Sequence, residues 1–246
     1  MSTPLAPDGR NPDQLRRLLL RGGLTGAAGV LASGCAGPPI ERLPDQPLPP
    51  AQVRIGDLWR YERIDGYNGR RLGEIVAQIE ETAPRLRVAL RDSDGRRVGD
   101  ELYEQPWTVI QEPFYDAVQI FTEPVPLLPP SGRTGDARWH YASWREPGYD
   151  LRYRWDVRNL ADGWERLRVP AGEFVTLRVT REIALSHPDF KRLRPWRRET
   201  LWYAPAIERW AQREWTGWFY WPGERFVMRE DFVRWRLIEH RPQPRG

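Results

Sequence analysis

Apolar and polar residues alternate with a period of two over much of the chain after residue 55. The most regular runs are residues 85–91, 149–158 and 175–180, and residues 72–81 and 226–239 follow the same pattern less strictly. Successive side chains of a β-strand point to opposite faces, so this period indicates a strand with one buried face and one wet face. We therefore predict strands at these places.

Short turn sequences separate the predicted strands. They are Asp65-Gly66, Asn68-Gly69, Ala161-Asp162-Gly163 and Pro222-Gly223. This hairpin-like spacing favours an antiparallel sheet over strand–helix–strand units. Helical periodicity is poor: residues 114–121 are either a short helix or a strand, and residues 186–193 could hold one helical turn. We predict a mainly β fold, a large curved antiparallel sheet or half-barrel with few short helices.

The first 34 residues differ from the rest and have the order of an export signal. Arg16 and Arg17 precede apolar residues and Arg21, and the thirteen residues 22–34 are small or apolar and uncharged. The arginine pair resembles the twin-arginine type of signal. A run of this length is too short to span a bilayer, which takes about 20 residues, but it suits a signal peptide. We predict a signal helix here.

Cys35 is the only cysteine of the chain and follows Leu31-Ala-Ser-Gly. This segment resembles a lipobox, whose cysteine receives diacylglycerol, carries palmitate-type acyl chains and becomes the new N-terminus. Two or three acyl chains hold a protein firmly at a membrane. Two alternatives stay open: an apolar N-terminal helix with an incidental buried cysteine, and an ordinary signal peptide that is cleaved elsewhere.

These features predict three parts. Residues 1–34 form the signal peptide, residues 35–52 the lipidated cysteine and its tether, and residues 53–246 a β-rich globular domain, with a break between two halves near 124–135. Residues 37–50 hold six prolines, which favour an extended spacer. We expect a protein of the cell envelope, anchored on the periplasmic side. The absence of Asp after Cys35 favours the outer membrane, by the rule known for enteric lipoproteins.

Composition excludes several classes of function. The formal net charge is only +4 in 246 residues, which gives no footprint for nucleic acid. The three histidines, His140, His187 and His240, lack the spacing of metal ligands. The chain has no nucleophile elbow, dinucleotide-binding loop or phosphate-binding loop. We therefore predict no catalytic residues, no metal and no cofactor, and a protein that is not an enzyme.

Two segments resemble a pattern of uncharacterised β-rich bacterial envelope proteins. They are Val169-Pro-Ala-Gly-Glu-Phe174, at a predicted strand start, and Trp202-Tyr-Ala-Pro205, at a predicted strand end. Some of those proteins share the curved-sheet architecture of the lipoprotein carriers LolA and LolB. The resemblance implies that architecture here and assigns no catalytic residue. The same residues also suit a turn, a core position and a strand end.

Aromatic residues are concentrated near residues 210–221, in a chain with 13 tryptophans. Core packing explains many of them, since large apolar side chains go inside by default. Strand neighbours alternate sides, however, so adjacent aromatics cannot all be buried. We name four residues as a candidate surface for a ligand or partner: Trp215, Trp218, Tyr220 and Trp221.

The sequence favours two functions. The first is a membrane-anchored binding protein that holds a lipid or other apolar ligand in the curved sheet. The second is a structural or assembly lipoprotein that docks onto another envelope protein through its Trp-rich surface. An enzyme that acts on glycans is the third hypothesis. It would need two carboxylates that face each other across a groove, and a sequence does not show such an arrangement.

Overall fold

The computed structural model describes residues 41–114 and 117–244. Cys35, Arg16, Arg17 and the predicted signal helix lie outside these residues. Among the described residues, no helix has the length and apolar character needed to cross a membrane. The secondary structure is almost entirely β, with one short 3-10 turn at Pro205–Ile207.

One sheet contains all the strands of the described residues. Their bounds are β1 Arg42–Leu43, β2 Leu58–Asp65, β3 Arg71–Glu81, β4 Leu86–Arg91, β5 Arg97–Gln105, β6 Thr108–Glu112, β7 Gln119–Pro126, β8 Ala137–Arg145, β9 Tyr153–Val169, β10 Gly172–Leu185, β11 Leu193–Ala204, β12 Arg209–Tyr220, β13 Val227–Arg229 and β14 Val233–Arg241. All their pairings are antiparallel.

The sheet closes into a barrel. Its order is β9-β10-β11-β12-β14-β2-β3-β4-β5-β6-β7-β8, and β8 pairs in turn with β9 from Ala137↔Leu160 to Trp144↔Tyr153. Twelve strands form the ring, while β1 and β13 pair beside it on β9 and β12. The predicted mainly β fold with a curved antiparallel sheet is confirmed, and the curvature continues until the two edges meet.

Most predicted strands occupy the expected places, with two local differences. Residues 149–152 precede β9, which begins only at Tyr153. The run 226–239 is divided into β13 and β14 by a short link. Residues 186–193 contain no helical turn, and β7 begins at Gln119 within the stretch that was open to helix or strand. Residues 127–136 connect β7 to β8 of the same sheet.

The barrel has two ends, which we call the tether end and the mouth end. At the tether end, residues 44–57 run against the loops: Gln52 N donates to Glu208 Oε2 at 3.0 Å, and Thr134 N donates to the Asp45 carboxylate at 3.2 Å. At the opposite mouth end, β12 ends at Tyr220 and β14 begins at Val233. The proline-rich segment is thus fixed to the barrel from about residue 44 onward.

Large aromatic side chains fill the interior. Trp59, Trp155, Trp164 and Trp210 have no exposed surface or almost none. Two of them satisfy their indole N–H groups on loop carbonyls: Trp59 Nε1 donates to Ile207 O at 2.8 Å, and Trp164 Nε1 to Gly132 O at 2.9 Å. Each buried aromatic removes roughly 150–250 Å² from water. The barrel interior is therefore a packed core.

Candidate functional site at the mouth of the barrel

A chain of buried charges crosses the packed interior. Arg181 and Arg213 both donate to the carboxylate of Glu199, one to each oxygen. Arg213 Nη2 also donates to Glu112 Oε2 at 3.1 Å, and all four side chains are almost completely buried. Nearer the tether end, Arg209 Nη2 lies 2.5 Å from an oxygen of a further buried carboxylate, on Glu101 of β5.

Alternation along the strands explains how these charges come to lie inside. Arg213 shares the inward face of β12 with Trp215, which lies two residues further on. Closer to the start of β12, the pairing with β11 shifts between Gln212 and Trp210, and both Arg209 and Trp210 are fully buried there. The guanidinium groups also stack on rings: Arg209 lies 3.8 Å from the Trp210 ring centre and Arg213 4.0 Å from that of Phe114. The three arginines and three glutamates of these buried ion pairs have opposite and equal total charge, so these six groups add no net charge to the interior.

The protonation behaviour of these groups follows from burial and pairing. Burial raises the pKa of Glu112, although Arg213 opposes the shift. For Glu199, burial acts in the same direction, but Arg213 and Arg181 outweigh it and hold the pKa below its ordinary value. Burial also raises the pKa of the hydroxyls of Tyr61 and Tyr103. Each carboxylate is engaged by arginine, which fits a structural role better than proton transfer to a substrate.

The barrel opens into a pocket of about 350 Å³ at the mouth end. Its walls come from β2, β11, β12, β13 and β14, from the loop before β11 and from the link between β13 and β14. The lining residues are Arg63, Arg192, Arg197, Trp215, Phe219, Arg229, Glu230, Asp231 and Val233. Sites of this kind, concave and partly aromatic, are usual for small ligands in barrels.

Charge inside this mouth pocket is unevenly distributed. Glu230 receives Arg197 Nε at 2.6 Å and Arg192 Nη1 at 3.1 Å, so this carboxylate sits between two guanidinium groups. Gly217 makes room for it, since a Cβ there would lie 2.2 Å from Glu230 Oε2. Arg63, on the β2 wall, makes no hydrogen bond or ion pair with any described residue, and its Nε is buried.

Exposed apolar residues surround the mouth and form what we call the aromatic tip. These residues and their exposed fractions are Phe190 79%, Leu193 44%, Tyr220 43%, Trp221 37%, Phe226 59% and Val227 44%. Basic side chains lie among them: Lys191 Nζ is 5.7 Å from the Trp221 ring centre, and the Arg192 guanidinium 5.2 Å from that of Phe219. Such an exposed patch marks an interaction surface.

The four residues named from the sequence are divided by the fold. Trp215 is buried and forms a wall of the mouth pocket, whereas Tyr220 and Trp221 belong to the aromatic tip. Trp218 lies on the outer face of β12, half-buried, with its ring 4.7 Å from that of Trp196. No observation tests their role, so the assignment stays a prediction.

Sequence reasoning missed the arginines of the mouth, and Arg63 above all. The sequence does contain a signal for Arg63. Trp59, Tyr61 and Arg63 follow each other at intervals of two, so Arg63 shares the face of two large aromatic residues, which is the face expected to be buried. Arg197 and Glu230 lie 33 residues apart and carry no local signal of their contact. Among residues 41–114 and 117–244, no group of histidine, cysteine and carboxylate side chains could hold a metal ion.

No family model and no curated protein sequence matches the chain. Similar solved structures include a candidate lipoprotein from Parabacteroides distasonis, with a TM-score of 0.46 and 14% identity over 78% of this chain and 97% of that chain. The hypothetical lipoprotein YmcC from Escherichia coli gives 0.41 and 11%, over 77% and 85%. A candidate exported protein with a YmcC-like fold from Bacteroides fragilis gives 0.39 and 13%, over 78% and 98%.

Proposed function

We propose that this chain is a non-enzymatic lipoprotein of the cell envelope that is anchored through Cys35 and docks onto an acidic partner protein through its aromatic tip. The observation that carries the proposal is the tip itself, where six large apolar side chains stand exposed together beside basic residues. Burying such a patch against a partner gains roughly 25 cal/mol per Å² of apolar surface removed from water. The packed ionic interior supports the role of a rigid carrier for this surface.

The anchored location is supported by the order of features at the N-terminus. An arginine pair, an uncharged apolar run and small residues before Cys35 follow each other as in an exported lipoprotein. Palmitate labelling of the wild-type chain and of Cys35→Ser tests the anchor. We expect label in the wild type alone; equal labelling of both chains would refute lipidation.

Chain length favours a protein over the bilayer as the occupant of the tip. Six residues lead from Cys35 to Glu41, and they reach at most about 20 Å. In the register of the sheet, β1 lies in the same row as Trp210, because Leu43 pairs through Trp164, Leu177 and Tyr203 with Trp210. From Trp210 to Tyr220, β12 extends for roughly 33 Å along the strand, which is about 25 Å along the barrel axis at the usual strand tilt. An upright barrel would therefore hold its tip away from the membrane surface.

Charge indicates what kind of protein surface would fit. Residues 189–194 hold Lys191, Arg192 and Arg194 against Asp189, and residues 220–229 hold two arginines against one glutamate. The tip segments thus carry an excess of basic side chains among apolar ones. Complementarity favours a partner surface that combines carboxylates with apolar groups.

Site-specific photo-crosslinking in the native host tests the docking proposal. A photoreactive phenylalanine analogue at Phe190 or Phe226 should give the same adduct with one protein, and charge reversal at Arg225→Glu should abolish it. Tyr141 is the matched control, because it is exposed to 72% on the outer wall of β8, close to the 79% of Phe190. An equal adduct from Tyr141, adducts with lipid alone, or no adduct from the tip would overturn the proposal.

A second candidate function, the binding of a lipid or apolar ligand, is favoured by one observation, the mouth pocket. Because aromatic and charged side chains fill the described interior, a ligand would occupy this pocket and not the centre of the sheet. Native mass spectrometry of the purified protein should then show a bound small molecule. A chain that carries none and takes up none would count against this function.

A further inference from the structure

Arg63 occupies an unusual position for a charged residue. It follows Trp59 and Tyr61 on the inward face of β2 and stands opposite Trp235 of β14 in the register of the sheet. Towards the core, the neighbouring inward positions of these two strands are aromatic or aliphatic, whereas Asp65, the next position towards the mouth, accepts hydrogen bonds from Tyr67 N and Asn68 Nδ2. The side chain lines the mouth pocket, at the boundary between the packed core and solvent.

Arg63 also lacks the partner that its neighbours have. Arg60 and Arg236, on the outward faces of β2 and β14, lie 3.5 Å from Glu239 and 2.7 Å from Glu62. Arg63 makes no ion pair or hydrogen bond with any described residue, its Nε is buried, and burial lowers the pKa of its guanidinium. A partly desolvated cation without a counter-charge is unfavourable unless an anion joins it.

The rest of the mouth pocket adds to this positive excess. The described lining residues include four arginines, Arg63, Arg192, Arg197 and Arg229, against the two carboxylates of Glu230 and Asp231. Glu230 is held by Arg192 and Arg197 at 3.1 and 2.6 Å. This carboxylate shows how an oxyanion sits between guanidinium groups here. Neither Glu230 nor Asp231, the two carboxylates of the lining, forms an ion pair with Arg63.

The remaining walls are apolar. Trp215 and Phe219 come from the inward face of β12, and Val233 from the start of β14. A pocket of about 350 Å³ holds a small molecule or the end of a longer one. Guanidinium groups beside aromatic faces match a ligand that joins an oxyanion to an apolar group.

We propose that the mouth pocket is a binding site for a small amphipathic oxyanion, a phosphate or carboxylate attached to an apolar group. Arg63 and Arg229 bind the anion, and Trp215 and Phe219 contact the apolar group. This site goes beyond the docking function and does not depend on it, because the residues of the aromatic tip are not needed for the ionic contact.

Isothermal titration calorimetry with defined probes tests the site. Phenyl phosphate and benzoate carry the two oxyanions on the same ring, inorganic phosphate lacks the ring, and benzyl alcohol lacks the charge. We expect phenyl phosphate or benzoate to bind at least tenfold more tightly than benzyl alcohol and than inorganic phosphate. The better of the two charged aromatic probes identifies the oxyanion; equal affinity for benzyl alcohol would overturn the proposal.

Arg63→Gln and Arg60→Gln form a matched pair of variants, because each removes one positive charge from β2, three residues apart. Arg63→Gln should weaken binding of the charged aromatic probe at least tenfold, with no loss of thermal stability, since no described partner is lost. Arg60→Gln should keep the wild-type affinity within twofold. Unchanged binding in Arg63→Gln, or equal loss in both variants, would show that the pocket is not the site.

Glu230→Gln gives a test in the opposite direction. The amide keeps the shape of Glu230 but removes the internal anion that occupies Arg192 and Arg197. We expect the charged aromatic probe to bind severalfold more tightly to this variant, and this outcome stands even if Arg63→Gln does not fold. Weaker or unchanged binding by a folded Glu230→Gln chain would contradict the proposal.

Phe190→Ser, in the aromatic tip, should leave probe binding unchanged and so separates this site from the docking surface.

Discussion

Arg213 on β12 donates a hydrogen bond to Glu112 on β6, with 3.1 Å between Nη2 and Oε2. Five strands of the sheet stand between these two strands in either direction around the barrel, β14, β2, β3, β4 and β5 on one side and β11, β10, β9, β8 and β7 on the other. The contact therefore crosses the interior and joins opposite walls. It also links residues 101 positions apart in the sequence. Interior ion pairs of this kind require the whole ring to be assembled.

Glu112→Gln should therefore destabilise the fold strongly. The substitution keeps the shape of the side chain but leaves buried Arg213 with less counter-charge, at a cost of about 3 kcal/mol. Urea denaturation measures this free energy of unfolding. Glu81→Gln is the control, because its pair with Arg87 is exposed, to 38% on Arg87 and 47% on Glu81, and should matter by less than about 1 kcal/mol. Equal effects of the two substitutions would show that the crossing ion pair does not stabilise the barrel.

Tryptophans on the two faces of the wall should differ in their contribution to stability. Trp164→Ala removes a fully buried ring and leaves Gly132 O without its indole donor, so we expect a loss of about 3–5 kcal/mol. Trp139 is 54% exposed on β8, and Trp139→Ala should change stability by less than about 1 kcal/mol. Chemical denaturation of both variants checks this. A larger loss for Trp139→Ala would contradict the inward and outward assignment.

Gly217→Ala should disturb the mouth pocket. An added Cβ would lie 2.2 Å from Glu230 Oε2 and 2.9 Å from Arg197 Cγ, so the Glu230 side chain must move away. We expect a loss of about 1–3 kcal/mol in the free energy of unfolding. Thr216→Ala, at the neighbouring outward position, serves as the control in the same denaturation series. Wild-type stability of Gly217→Ala would mean that Glu230 does not pack as described.

The pH dependence of stability should include a contribution from His240. Its ring stacks on Trp59 with 5.8 Å between centres, and burial lowers its pKa below 6.5, although Asp57 opposes the shift. The unfolded chain then binds the proton more readily than the folded one. The contribution is present above about pH 6.5 and is lost as the pH falls through the lower, folded pKa.

His240→Gln should therefore reduce the loss of stability between pH 7.5 and pH 5, as measured by urea midpoints at both values. His140, whose pKa is also lowered by burial, is present in both chains, so the difference between them isolates His240. A folded-state pKa at or above that of the unfolded chain, read by NMR titration of the ring, would refute this prediction.

Local alternation was sufficient to predict much of the sheet. The period of two at residues 85–91 and 175–180 falls within or next to the strands at 86–91 and 172–185, since the pleat alone decides which side chains share a face. The second strand is longer than its pattern indicated. The same rule separates Trp215 from Trp218, one inward and one outward. It fails at residues 149–152, which carry the right pattern but precede the strand, because pairing with β8 starts only at Tyr153.

The sequence by itself determined the antiparallel β character, the two faces of each strand and the concentration of aromatic residues near the end of β12, because all three depend on neighbours along the chain. Only the tertiary structure decided that the sheet closes and that Arg63, Arg197 and Glu230 share one pocket. Closure depends on the register between β8 and β9, together with the twist summed over twelve strands. Contacts across the interior then follow from closure, and no local pattern of residues encodes them.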